Sequence, residues 1–185
     1  GLEGTPVAVS ATVGDPAGAY DTVSLAWTAS RAGVQVAAGS GPSWSFTPAD
    51  NGSYEIRLTA GDEDGGTVTQ QTTLGVADVP PAILLSGGSA AEGAAYSLTL
   101  ATPADPGQDT ITAYAIDWGD GTVQSFTVAA DGGPAGVRTH VYADGPNGYT
   151  VRVSLTDEDG SHADAGLRQV AVHDQILLVA LAPIV

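Results

Sequence analysis

The sequence predicts an all-β chain built as two tandem β-sandwiches, and three observations carry that prediction. Apolar residues recur at spacing two, strand-like runs follow one another roughly every ten residues between Gly- and Pro-rich turns, and the chain repeats itself at about half its length. Thr, Val, Tyr and Gly crowd the runs where a helix would want Leu, Glu and Lys.

Taken in order, Val7, Val9 and Ala11 alternate first, then Val23, Leu25 and Trp27, then Tyr54, Ile56 and Leu58. A second set follows: Tyr96, Leu98 and Leu100; Ile111, Tyr114 and Ile116; Tyr149, Val151, Val153 and Leu155. Between them stand Gly14-Asp15-Pro16, residues 48–52, Asp105-Pro106-Gly107, residues 131–134 and residues 145–148, all rich in the residues that turns demand. The repeat is explicit. Glu3-Gly4 returns as Glu92-Gly93, Asp15-Pro16 as Asp105-Pro106, Asp21-Thr22-Val23 as Asp109-Thr110-Ile111, Tyr54 as Tyr149, and residues 62–65 as 157–160, both Asp-Glu-Asp-Gly. The expected division is 1–78, 79–174 and a C-terminal apolar strand over 175–185, with Pro80-Pro81 as a short stiff hinge.

The motifs of the second repeat carry a resemblance. Residues 114–121 (Tyr-Ala-Ile-Asp-Trp-Gly-Asp-Gly), Thr139-His140-Val141-Tyr142, and residues 148–160, which run from Gly-Tyr-Thr-Val into the second acidic loop, resemble a polycystic-kidney-disease (PKD) domain over residues 82–173. The first repeat has residues 24–30 (Ser-Leu-Ala-Trp-Thr-Ala-Ser) in place of the Gly-Asp-Gly strand. It resembles degenerate Ig-like or cadherin-like repeats of large bacterial secreted proteins and adhesins. The resemblance implies two tandem Ig-like (PKD-like) sandwiches, and a non-catalytic spacer, adhesive or binding module, extracellular or on the cell surface and stiffened by calcium.

Charge narrows the partners. The chain of 185 residues has 21 Asp and Glu against five Arg and no Lys, a net charge of −16, which repels phosphate backbones and anionic headgroups. Nucleic acid and membrane insertion are therefore excluded as expectations; the longest apolar run, Ile176 to Val185, is half of what a membrane-spanning helix needs. No Cys means no disulfide, no thiolate nucleophile and no cysteine zinc site. The chain reads as a soluble piece of something longer.

Carboxylates supply the candidate site. Ca²⁺ takes six to eight oxygen ligands, and two carboxylates at i and i+2 across a tight Gly-ended loop can turn to one ion. Asp62 with Asp64, and Asp157 with Asp159, have that spacing. Counting antiparallel strands brings Glu3, Asp78, Asp105, Asp109, Asp157 and Asp159 to the junction of the two sandwiches, where so many like charges call for a cation. Calcium is the expected cofactor, bound at loops, since neither an EF-hand loop nor a β-roll nonapeptide occurs. The competing reading makes the same residues solvated turn residues.

Catalysis finds no support. His140, His162 and His173 are the only imidazoles, without a metal-binding helical spacing or a nucleophile elbow, so no catalytic residues are expected. Tyr54 and Tyr149 are expected as tyrosine corners, and Trp27 as core. Trp44 and Trp118 are expected in the cores, since six Tyr and two Phe are few large residues for two of them; left exposed, the pair would suit sugar rings. Three functions therefore compete: a structural or adhesive module whose partners are neighbouring repeats, glycans or cell surfaces; a carbohydrate-binding accessory module; and a filament subunit. The last follows from the ends. Residues 82–85 (Ala-Ile-Leu-Leu) lead into Glu92, nothing comparable leads into Glu3, and Ile176-Leu177-Leu178 echoes them after Asp174, as if one molecule donated a first strand to the next.

Overall fold

The computed structural model describes residues 1–14 and 22–176. The chain divides into two compact units, Gly1–Val79 with Pro106–Gln108, and Pro80–Asp105 with the residues from Asp109 onward.

Among the described residues the first unit is a sandwich of six strands: β1 (Val7–Ser10), β2 (Ser24–Arg31), β3 (Val34–Ser40), β4 (Ser43–Phe46), β5 (Gly52–Gly61) and β6 (Thr67–Val76). One sheet runs β3-β2-β5-β6 and the other β1-β4, with every neighbour antiparallel. Ala32 and Gly33, both at positive φ, make the two-residue turn between β2 and β3, a geometry that matches the twist of the flanking strands. Period two does the rest: Trp27 and Ala29 on β2 and Tyr54 and Ile56 on β5 point to one face and form the core with Phe46 and Val76. Trp44 lies stacked on Phe46 with centroids 5.1 Å apart. Its indole covers Gly39, where a Cβ would fall 2.1 Å from the ring, so β3 carries no side chain there. The Tyr54 hydroxyl donates to the Asp50 carbonyl at 2.7 Å, the bond of a tyrosine corner.

The second unit holds β7 (Leu85–Ser86), β8 (Ala90–Ala91), β9 (Ala95–Leu100), β10 (Ala113–Asp117), β11 (Val123–Thr127), β12 (Gly136–Val141), β13 (Asn147–Thr156) and β14 (Ser161–His173). Its sheets run β11-β10-β13-β14-β8 and β12-β9-β7. A single helical turn, α1 (Val128–Asp131), follows β11; the all-strand expectation had no place for it. The core is larger than the first: Leu98, Ile116, Trp118, Tyr142, Val151, Val153 and Leu155 are fully buried. Its first strand is not the continuous segment expected over residues 82–85. Leu85 and Ser86 pair with β9, the chain turns through Gly87 and Gly88, and Ala90–Ala91 cross to the other sheet to run parallel with β14.

Tyr149 is not a tyrosine corner of the expected kind. Its ring stacks on Tyr142 at 4.7 Å, and Tyr142, fully buried, donates its hydroxyl to the Trp118 carbonyl at 3.1 Å. Beyond Ile176 the expected C-terminal strand lies outside the described residues, as do Asp15 and Asp21.

Candidate metal centre

The turn from β13 to β14 builds the centre of the site in the second unit. Asp157 accepts the N–H groups of Asp159 and Gly160 on Oδ1, at 3.0 and 3.1 Å, and its own N–H donates to the Gly160 carbonyl at 3.0 Å, so side chain and backbone close the loop together. Its Oδ2 lies 2.8 Å from Nε2 of His162. Burial pushes the Asp157 carboxyl up, but the hydrogen bonds from His162 and the two backbone N–H groups outweigh it and hold the pKa below the usual value. Asp157 therefore stays anionic although its carboxylate is buried.

Two further carboxylates come to it. Oxygen atoms of Asp105, Asp109 and Asp157 all lie within 4.8 Å of one another, Asp105 and Asp109 half-buried and Asp157 buried. Glu158, which the sequence reading left out, fixes the approach: its Oε2 accepts the Thr110 N–H at 2.8 Å and so ties the loop carrying Asp109 to the turn carrying Asp157. The same bond recurs in the first unit, where Glu63 Oε2 accepts the Thr22 N–H at 2.6 Å. The signal was present in the repeat, since Glu stands between the two Asp residues both times.

Two of the other expected ligands, Asp62 and Glu3, accept backbone N–H groups near them. Asp62 accepts the Gly66 N–H at 2.7 Å and forms the hairpin turn, and Asp64 is exposed. Asp159 is exposed, while Asp78 is half-buried in the first unit. Glu3, fully buried, accepts the Val79 N–H at 2.7 Å while its own N–H donates to Ala77. Glu92 does the same one repeat later: its Oε1 and Oε2 accept the N–H groups of Gln175 and Gly145 at 2.9 and 2.8 Å, and its own N–H donates to His173. Those two backbone bonds hold the Glu92 pKa below the usual carboxylate value. The recurring Glu-Gly thus clasps the end of the last strand in each unit.

The Asp-Trp-Gly-Asp-Gly run also resolves into structure. Asp117 accepts the Gly119 N–H and Asp120 the Thr122 N–H, which fold the β10–β11 turn. Asp120 also bonds His140 Nε2 at 2.6 Å, and the His140 ring stacks on Trp118 at 4.8 Å. Trp118 is wholly buried and Trp27 nearly so, while Trp44 packs against the first core, so none of the three offers the exposed face that a sugar platform requires.

Residues 2–75 match the family model of a bacterial Ig domain. No curated protein matches the chain. Among solved structures, the fibronectin(III)-like modules of Clostridium thermocellum CbhA are 18% identical, with 94% of this chain and 88% of that chain covered and a TM-score of 0.39. An amphioxus IgVJ-C2 molecule is 12% identical over 94% of this chain and 98% of its own, with a TM-score of 0.40. SGBP-B of a Bacteroides ovatus mixed-linkage glucan utilization locus, solved in complex with a mixed-linkage heptasaccharide, is 18% identical over 92% of this chain and 41% of its own, with a TM-score of 0.33. The strand order of the two units and the bacterial Ig match agree on tandem Ig-like sandwiches.

One consequence of the site is a pH-dependent contribution. The native Asp157 pKa lies below its ordinary 3.8, so the stability Asp157 contributes is present above that value and lost as pH falls through the lower native one. Asp157→Asn should cost about 1–2 kcal/mol at neutral pH. The gap in melting temperature between wild type and variant should close below pH 3.8; a gap that persists there would contradict the assignment.

Proposed function

We propose that the chain is a non-catalytic structural and adhesive module of a bacterial extracellular or surface protein, a bacterial Ig-type sandwich followed by a PKD-like one that calcium stabilises. The observation that carries the calcium reading is the convergence of Asp105, Asp109 and Asp157 within 4.8 Å in the second unit. Three anionic oxygens so close repel one another, and a hard divalent cation reverses the sign of that interaction. The donor set is all oxygen, which suits Ca²⁺ and disfavours the softer transition metals. Asp157 enters as a fixed anion, Asp105 and Asp109 sit on a loop that Glu158 holds, and water would complete the shell.

The experiment is thermal unfolding with and without calcium. Extracellular calcium modules bind at roughly 10⁻⁴–10⁻³ M, so a few millimolar ion should raise the melting temperature of the second sandwich. At about a hundred times Kd the gain is about 2.7 kcal/mol. Asp109→Asn should abolish the calcium-dependent part and leave the metal-free transition in place. Equal calcium shifts in wild type and variant, or none in either, would defeat the reading.

A further inference from the structure

Each sandwich joins an early segment to its last strand in the same way, bond for bond. In the second unit β8 runs parallel with β14, Ala90 beside Val172 and Ala91 beside His173. The Glu92 N–H donates to the His173 carbonyl at 3.0 Å, and Glu92 Oε1 accepts the N–H of Gln175, just past the strand, at 2.9 Å. In the first unit Leu2 and Ala77 form a parallel bridge. There the Glu3 N–H donates to the Ala77 carbonyl at 3.2 Å, and Glu3 Oε1 accepts the N–H of Val79, again just past the strand, at 2.7 Å. The glycines repeat as well: the Gly4 N–H donates to the Pro48 carbonyl at 2.9 Å, and the Gly93 N–H to the Tyr142 carbonyl at 2.8 Å.

The direction of this pairing decides how it meets a pull along the chain. Among the described residues the other strand pairs are antiparallel. Antiparallel neighbours pulled at their shared end open one bond after another. Parallel neighbours pulled from opposite ends slide past each other, and their evenly spaced bonds must break together. The chain reaches β8 from Pro80 and leaves β14 at Asp174, so a pull along it loads this pair from opposite ends. β7 meets the load first, but it is antiparallel to β9, opens from its end and passes the load on to β8.

The carboxylate reinforces the loaded pair. Glu92 Oε2 also accepts the Gly145 N–H at 2.8 Å, and Gly145 lies so close to the end of β14 that a Cβ there would fall 3.0 Å from the His173 carbonyl carbon. One side chain thus ties β8, the exit from β14 and the β12–β13 turn together. Its two backbone bonds keep it anionic, and hydrogen bonds to an anion are about twice as strong as neutral ones.

We propose that the Glu-Gly clasp is a tension clamp, which lets each sandwich transmit load along the chain without unfolding. The clamp adds load bearing to the structural role and needs no calcium. It is therefore measured in the presence of a chelator, where a failure of the calcium reading leaves it untouched.

Single-molecule pulling on the full chain reads the clamp directly, because forced unfolding follows the unfolding rate. Held by its two ends, the chain should unfold in two events, the longer extension belonging to the larger second unit. A comparison axis uses Ala101→Cys with Ala130→Cys as handles, both exposed and in a chain without cysteine. That pull separates β9 from β12 at their shared end, where Gly136 faces Leu100, and opens their bonds in turn. The second sandwich should withstand a greater force end to end than along this axis. Glu92→Gln should unfold about tenfold faster under a fixed end-to-end load, the loss expected for a hydrogen bond to a charged group, and at an unchanged rate along the comparison axis. Glu3→Gln should accelerate the first sandwich's event alone. Equal end-to-end rates for wild type and Glu92→Gln would overturn the clamp. The same acceleration on both axes would make the clasp a general stabiliser and overturn it equally. Should Glu92→Gln fail to fold, the wild type still decides, since a second sandwich that breaks no harder end to end than along the comparison axis would overturn the proposal.

Discussion

Trp118→Ala should lower the stability of the second sandwich by about 3–5 kcal/mol, the range for removing a fully buried large aromatic side chain. Trp118 is at zero exposure, packed edge-on against Tyr96 at 6.3 Å and face-on against His140 at 4.8 Å, and its carbonyl accepts the Tyr142 hydroxyl. Deleting the indole leaves a cavity that rigid rings cannot collapse into, because each ring is fixed by another partner: His140 by Asp120, and Tyr142 by Tyr149. At about 4–8 °C per kcal/mol for a domain of this size, the second transition in calorimetry should fall by more than about 12 °C. The first sandwich should be untouched. A fall under a few degrees would mean that the indole is not the keystone of this core.

Gly119→Ala should produce the second-largest loss, through the backbone and not through a cavity. Gly119 stands at φ +83°, where a Cβ costs on the order of 1–2 kcal/mol, and that Cβ would also lie 2.7 Å from the Thr150 carbonyl oxygen. The neighbouring strand β13 cannot retreat without breaking its register with β10, so the two costs add to about 2–4 kcal/mol. Gly121→Ala is the control. It shares the positive φ, at +92°, but meets nothing within 4 Å, and should cost only the conformational part. Equal melting temperatures for the two variants would show that close approach to Thr150 contributes nothing.

Much of the fold was written in local pattern. Spacing two fixes which face of a strand is buried, whatever it packs against, so Trp27, Tyr54, Ile56, Leu98, Ile116 and Val153 could be assigned to cores from the chain alone. The internal repeat likewise implied two units of one kind, because a recurring order of turns and strands can satisfy its hydrogen bonds only by recurring as a fold. The turns were legible in the same way, since Gly, Pro, Asn and Asp cluster where the chain must reverse.

The roles of the acidic residues were decided by tertiary structure. A carboxylate at a turn can solvate, cap a backbone N–H or hold a cation, and the choice depends on which donors lie within about 3 Å, a matter of chains remote in sequence. Glu3 and Glu92 clasp the ends of strands 76 and 83 residues away. Glu158 holds a loop 48 residues upstream, and Asp109 and Asp105 meet Asp157 because β10, which their loop leads into, pairs with β13. The surroundings of β1 are likewise invisible to periodicity. Val9 and Ala11 alternate like Leu98 and Leu100, yet they are half-buried where those two are sealed, because among the described residues β1 pairs with β4 alone while β9 pairs on both sides.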